Sequence, residues 1–130
     1  MGYSYNASCN ECGHDFMVSE GGGFFFELFR CEVCGKTKSI SRNQEQFEQY
    51  WLRHLLHRKR LGEPSQGFER YLRPETPREP LTEEQFESIV ELEVVGKCEC
   101  GGQFRWHAPV RCPKCRSTNI RDMGGGILYD

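Results

Sequence analysis

The sequence predicts a small α+β protein that depends on metal, with two antiparallel β ribbons joined by an amphipathic helix and a proline-containing connector. Three observations carry this prediction. The eight cysteines of the 130-residue chain fall into four closely spaced pairs, two near each end. Between them, residues 41–61 contain no glycine and show helical periodicity. Each cysteine-bearing end has roughly 40 residues, too few for apolar burial alone to stabilise a fold.

All eight cysteines have the spacing of metal ligands. The first two pairs are C-x-x-C with 18 residues between them, and the last two are C-x-C and C-x-x-C with 11 between. Two such turns hold one tetrahedral ion, most often zinc, and iron is the alternative. The predicted ligands of two zinc ions are Cys9, Cys12, Cys31, Cys34, Cys98, Cys100, Cys112 and Cys115. Because short loops close at lower entropic cost, we expect the first four to share one ion and the last four the other.

Three regions follow one another along the chain. Residues 1–41 are predicted as an N-terminal zinc ribbon, residues 42–90 as a helical connector and residues 91–130 as a C-terminal zinc ribbon. Strands are predicted where aromatic or alternating apolar residues gather. These segments are 3–7, 15–19, 24–29 and 91–95.

The connector carries two helix signatures. Ser41 with Gln44 fits a capping box, and it precedes apolar residues that recur on one helical face. These residues are Phe47, Tyr50, Trp51, Leu55 and Leu56. Thr82 with Gln85 is a second capping box, and it predicts a short second helix. Between the two helices, residues 74–80 contain three prolines and are expected to be extended.

Composition places limits on compartment and partners. The formal net charge is −2, so the overall field does not steer the chain towards nucleic acid. No apolar run reaches the roughly 20 residues of a membrane span. The sequence begins without a basic region and an apolar core, so we expect no secretory signal and a cytoplasmic, reducing location. In that compartment paired cysteines are metal ligands rather than disulfides.

The two cysteine regions resemble each other and resemble known zinc modules. Cys12-Gly13-His-Asp-Phe16 matches Cys100-Gly101-Gly-Gln-Phe104, and the Arg-Cys-x-x-Cys-x-x-Thr motif starts at both Arg30 and Arg111. We interpret this repeat as support for local ligand pairing. Both halves resemble zinc ribbons with rubredoxin-type knuckles, and residues 98–120 are similar to the zinc domain of the hydrogenase-maturation nickel metallochaperones. That family has an N-terminal Met-His nickel motif, whereas this chain begins Met1-Gly2-Tyr3.

Three functions are consistent with such a scaffold. Four sulfurs leave no open position on an ion, so we interpret both sites as structural and predict no catalytic residue. The first hypothesis is an interaction module that docks on a protein partner or a multi-subunit complex. The second is a transcription-related nucleic-acid-binding protein, and the third is a metallochaperone or a rubredoxin-like electron carrier. The basic residues available to nucleic acid are Arg53, Arg58, Lys59, Arg60, Arg105, Arg111, Lys114 and Arg116.

Overall fold

The computed structural model describes residues 2–22, 25–62 and 67–129, and it confirms the predicted α+β class. Its strands are β1 (Gly2–Cys9), β2 (Asp15–Glu20), β3 (Phe26–Cys31), β4 (Thr37–Ser41), β5 (Phe104–Arg105) and β6 (Ile120–Tyr129). Its helices are α1 (Glu45–Arg60), a 3₁₀ helix (Phe68–Tyr71), α2 (Glu83–Ile89) and a π-helix (Val90–Val95). Of the strand predicted at 24–29, Phe24 lies outside the described residues.

The strands form two antiparallel sheets with the same plan. One has the order β2-β1-β6 and the other β4-β3-β5. In each sheet a hairpin from the N-terminal part of the chain pairs through its first strand with a strand from the C-terminal part. The two ends of the chain, predicted as separate ribbons, therefore contribute to the same sheets.

The chain forms two compact units. One combines the residues up to Ser41 with those from Val95 onward, and the other is Arg42–Val94. In the first, the ribbon unit, Phe29 is fully buried and its ring meets Trp106 edge-on at 4.5 Å. Arg30 holds its two sheets together by donating from Nη2 to the carbonyl oxygen of Ser19 at 2.7 Å. Phe29, in the strand predicted at 24–29, thus has an aromatic partner within the chain.

The second unit, the helical unit, is centred on Phe86 of α2. Its ring packs edge-on against Phe47 and Trp51 and stacks on His54, with centroids 5.3–5.8 Å apart. The segment predicted to be extended, residues 74–80, starts instead with a turn, in which Thr76 donates its backbone N–H to the Arg73 carbonyl at 3.0 Å. The turn is held on α1, because the Gln49 side chain accepts hydrogen bonds from the Arg73 backbone and the Thr76 hydroxyl. The connector is therefore an ordered part of the unit.

Two local predictions are corrected and one is confirmed. Ser41 ends β4, and the cap of α1 is Gln44, whose side chain accepts from the backbone N–H of Phe47 at 2.6 Å. The Thr82–Gln85 capping box is present with both of its hydrogen bonds. The strand predicted at 91–95 is a π-helix.

The burial of its residues explains why residues 91–95 form a π-helix although their alternating apolar pattern predicted a strand. Val90 and Val95 are both buried and lie five residues apart, which is the hydrogen-bond spacing of a π-helix. Leu92 between them is 59% exposed. This burial pattern fits a π-helix. It does not fit a strand, in which Val90 and Leu92 would face the same side. Among the described residues, no helix is both long enough and apolar enough to cross a membrane.

Candidate metal centres

The eight cysteines form two groups of four, and each group takes one pair from each end of the chain. Cys9 and Cys12 meet Cys112 and Cys115, and Cys31 and Cys34 meet Cys98 and Cys100. The expected local pairing is therefore wrong. The sites are nested along the sequence, so we call the first group the outer site and the second the inner site.

The sulfur positions fit a four-coordinate ion. Within each group all four ligand atoms lie within 4.8 Å of one another. The closest approaches between pairs are 3.4 Å for Cys9–Cys115 and 3.4 Å for Cys31–Cys100. Four sulfurs about 2.3 Å from a central zinc would be about 3.8 Å apart, whereas a disulfide needs about 2.05 Å. Each group can therefore hold one metal ion, and none of the eight cysteines forms a disulfide.

Strand pairing explains the nested arrangement. The turn that holds Cys112 and Cys115 leads directly into β6, and β6 runs antiparallel along β1 with Ile120 opposite Cys9. In the inner site, β5 follows Cys100 and pairs with β3, so Phe104 lies opposite Cys31. The sheets thus place each later pair of cysteines beside an earlier one.

The four cysteine turns, or knuckles, share one hydrogen-bond pattern. In each, the first cysteine donates its backbone N–H to a carbonyl just beyond the knuckle, and its own carbonyl accepts from the residue after the second cysteine. The short C-x-C knuckle keeps both bonds: Cys98 donates to Gly102 at 2.7 Å, and Gly101 donates to Cys98 at 2.9 Å. The C-x-C knuckle is one residue shorter than the other three, but it has the same two backbone hydrogen bonds.

Backbone amides also point at the sulfurs. The N–H groups of Val33, Gly102 and Lys114 donate to the sulfurs of Cys31, Cys100 and Cys112, each at 3.4 Å. Such bonds stabilise the thiolate, which is the form that binds metal.

The thiol pKa values reflect these contacts. Burial opposes ionisation of Cys31, but the backbone N–H groups of Cys34 and Val33 and the adjacent thiols outweigh it and lower the pKa of Cys31 to about 7. In the outer site, burial of Cys112 is likewise outweighed by the backbone N–H groups of Cys115 and Lys114, and its pKa is about 7. Cys31 in the inner site and Cys112 in the outer site thus ionise near neutral pH. Since every metal-bound cysteine must be deprotonated, metal affinity at both sites depends on pH.

A family model described as a domain of unknown function (DUF8255) matches residues 5–121. The chain belongs to this family. The matched span includes all eight cysteines, so both candidate sites lie within it. No curated protein and no solved structure matches the chain.

Gly102 is a site residue that sequence reasoning missed. A Cβ atom at this position would lie 2.7 Å from the sulfur of Cys31 and 2.9 Å from Cβ of Val33. The Gly101-Gly102 pair was visible in the sequence, but only the sheet pairing shows that the second glycine faces the other knuckle.

Replacing Gly102 by alanine is expected to weaken metal binding at the inner site by at least tenfold. The added methyl group has to displace a ligand sulfur that the metal holds in place. Competition with a chromophoric chelator measures this effect. Gly13→Ala is the matched control, because a Cβ there meets nothing within 4 Å. Alanine at this position is therefore strained only in its backbone, at φ 75°. Equal weakening of binding by both changes would contradict the steric explanation.

Arg116 is a second residue whose position only the structure explains. Three knuckles end in a glycine with positive φ, and the fourth ends in Arg116 at φ 65°. A side chain in this left-handed region costs about 1–2 kcal/mol. We therefore expect Arg116→Gly to raise the free energy of unfolding by about 1 kcal/mol, measured by urea denaturation of the metal-loaded chain. A lower stability would show that the arginine side chain itself supports the knuckle.

Several of the basic residues proposed for nucleic acid are buried or already paired within the chain. Arg53 is buried. Arg105 pairs with the Glu32 carboxylate at 3.1 Å, and Arg111 donates to the Glu32 carbonyl at 2.9 Å. Lys59 pairs with Glu69. The exposed members of the set are Arg58, Lys59, Arg60, Lys114 and Arg116.

Proposed function

We propose that this protein is a non-catalytic interaction module that two zinc ions hold together and that docks on a basic segment of a protein partner. Two all-sulfur sites with rubredoxin-like knuckles support zinc, which such structural sites most often hold. Four sulfurs occupy every tetrahedral position and leave none for water or substrate. The ions would then stabilise the fold, and the protein surface would bind the partner.

The observation that carries the proposal is an apolar groove on the helical unit. Leu81, Ile89 and Leu92 line a groove of ≈ 400 Å³ together with Glu84 and Glu93. Leu92 is 59% exposed, and no ion pair is found for Glu84 or Glu93 among the described residues. From residue 79 to 96 the sequence has six glutamates and no lysine, arginine or histidine. An apolar floor with an acidic border complements a basic amphipathic segment.

The test uses a fluorescent helical peptide with leucine on one face and lysine on the other. We expect Leu92→Ser and Glu84→Lys each to weaken its binding to the zinc-loaded chain about tenfold. The matched controls are Leu128→Ser, since Leu128 is 74% exposed on β6, and Glu75→Lys in the connector. Equal binding of a peptide with glutamate in place of lysine would refute the charge argument.

Metal analysis of the purified chain tests the zinc assignment. We expect two zinc ions per chain and no visible absorbance. A coloured protein that contains iron would favour the electron carrier instead, because iron in four thiolates is redox-active.

One observation favours nucleic-acid binding as a second candidate function. Arg116 keeps a strained backbone angle where the other knuckles have glycine, and strain of this kind gathers at functional positions. Exposed Lys114 lies in the same knuckle. If this knuckle binds phosphates, removing both charges by Lys114→Ala and Arg116→Ala should reduce the slope of log affinity against log salt by about 2. An unchanged slope would show that this knuckle does not contact the phosphates of a nucleic acid.

A further inference from the structure

Arg53 is a buried cation for which no ion-pair partner is found in the part of the chain that the structure describes. It lies in the middle of α1 and is 8% exposed. Its Nε donates to the backbone carbonyl of Glu79 at 3.0 Å. Among the described residues, no carboxylate pairs with it, and its two Nη groups have no hydrogen-bond partner.

This arrangement is energetically unusual. Arginine is almost never buried unless it is paired, because removing its charge from water costs several kcal/mol. One neutral carbonyl compensates only part of that cost. Buried polar groups left unsatisfied within the chain call for a partner from outside it.

Arg53 lines a cavity that can hold such a partner. The cavity has a volume of ≈ 460 Å³ and lies between the N-terminal half of α1 and residues 73–77 of the connector. Arg73 also lines it, but Glu45 already pairs with that guanidinium. Arg53 is therefore the cation in this cavity whose charge is not balanced.

A second donor is available beside it. Tyr50 lines the same cavity, and its hydroxyl accepts a hydrogen bond from the side-chain amide of Gln46 at 3.4 Å. The hydroxyl hydrogen remains free to donate, since no acceptor for it is found among the described residues. Glu75 also lines the cavity, and its negative charge would oppose a highly charged ligand.

We propose that this cavity, the Arg53 pocket, binds a small anion with a carboxylate or phosphate group. The Nη groups of Arg53 and the hydroxyl of Tyr50 donate to its oxygens. A planar guanidinium fits both groups through two parallel hydrogen bonds. This site is independent of the groove at Leu92 and of the proposed docking function.

The experiment measures the melting temperature of the full zinc-loaded chain with sodium acetate, with sodium phosphate, and with sodium chloride at the same ionic strength. Acetate and phosphate distinguish the two anion types. We expect at least one of them to raise the melting temperature above the chloride value, and Arg53→Met to abolish the rise. Arg60→Met is the matched control, because Arg60 is exposed at the end of α1. It should keep the full response.

Two further readouts separate binding from a structural role. Without anion, Arg53→Met should be at least as stable as the wild type, since it removes an unbalanced buried charge. Tyr50→Phe, which removes a single hydroxyl, should weaken the anion response about fivefold. On the wild type, amide NMR shifts on titration should map to residues 44–53 and 73–77. No response to either anion, an equal response in Arg53→Met, or shifts that map elsewhere would overturn the proposal.

Discussion

Replacing Cys112 by serine is expected to remove one of the two metal ions and to disorder both ends of the chain at once. Cys112 is fully buried, and its sulfur lies 3.5 Å from that of Cys12, 100 residues earlier. A structural zinc site contributes roughly 10–16 kcal/mol of apparent binding free energy, which is comparable to the whole stability of a small domain. Without its ion, the sheet of β1, β2 and β6 should not persist.

Metal analysis and amide NMR together check this result. We expect the zinc content to fall from two ions to one and the dispersed signals of β1, β2 and β6 to collapse. Cys98→Ser is the reciprocal variant and should affect β3, β4 and β5 instead. If Cys112→Ser left β1 and β2 intact and disturbed the knuckle of Cys98 and Cys100, the ions would be held by local pairs and the nested arrangement would be incorrect.

Phe86→Ala is expected to destabilise the helical unit by about 3–5 kcal/mol while the chain keeps both ions. Phe86 is 4% exposed, and its ring contacts three aromatic side chains of α1. Removing it leaves a cavity that Phe47, Trp51 and His54 cannot fill. None of the eight cysteines lies in this unit.

Thermal unfolding followed by far-ultraviolet circular dichroism measures the loss of helix, and metal analysis measures retained zinc. Phe25→Ala provides the matched control, because Phe25 is 73% exposed and its loss should change stability by less than about 0.5 kcal/mol. Loss of zinc from Phe86→Ala would show that the metal sites depend on the helical unit.

The ligand residues could be predicted from sequence, whereas their partners could not. C-x-x-C spacing is a local property, and it identifies each knuckle without reference to the fold. The pairing of the cysteines was predicted from the entropic cost of loop closure, but that cost grows only with the logarithm of loop length. Linking Cys12 to Cys112 instead of Cys31 costs about 1.5 kcal/mol more, since each doubling of loop length adds about 0.6 kcal/mol. The hydrogen bonds of β6 along β1 can offset that difference.

The internal repeat was equally ambiguous. Similar halves are compatible with one ion per half, and they are also compatible with each ion taking one pair from each half. The structure has the second arrangement. Spacing and composition cannot distinguish the two, because the choice depends on which strand edges meet.

Helical periodicity was more informative at the level of elements than at the level of side chains. It located α1, yet it did not show that Arg53 and His54 are buried along with Phe47. Arg53 faces the connector, where Glu79 accepts from its side chain and Leu81 donates to its backbone carbonyl. The sequence gives no signal for a connector that lies along the helix, so a buried arginine was read as part of an exposed basic patch.

The nested order of the knuckles has a consequence during protein synthesis. A ribosome adds roughly 5–20 residues per second, so the 100 residues from Cys12 to Cys112 take about 5–20 s to make. Until then, the nascent N-terminal cysteines have only half of their coordination sphere. The outer site can be completed only after Cys112 and Cys115 have been made, and the thiols of Cys9 and Cys12 stay open to oxidation until that moment.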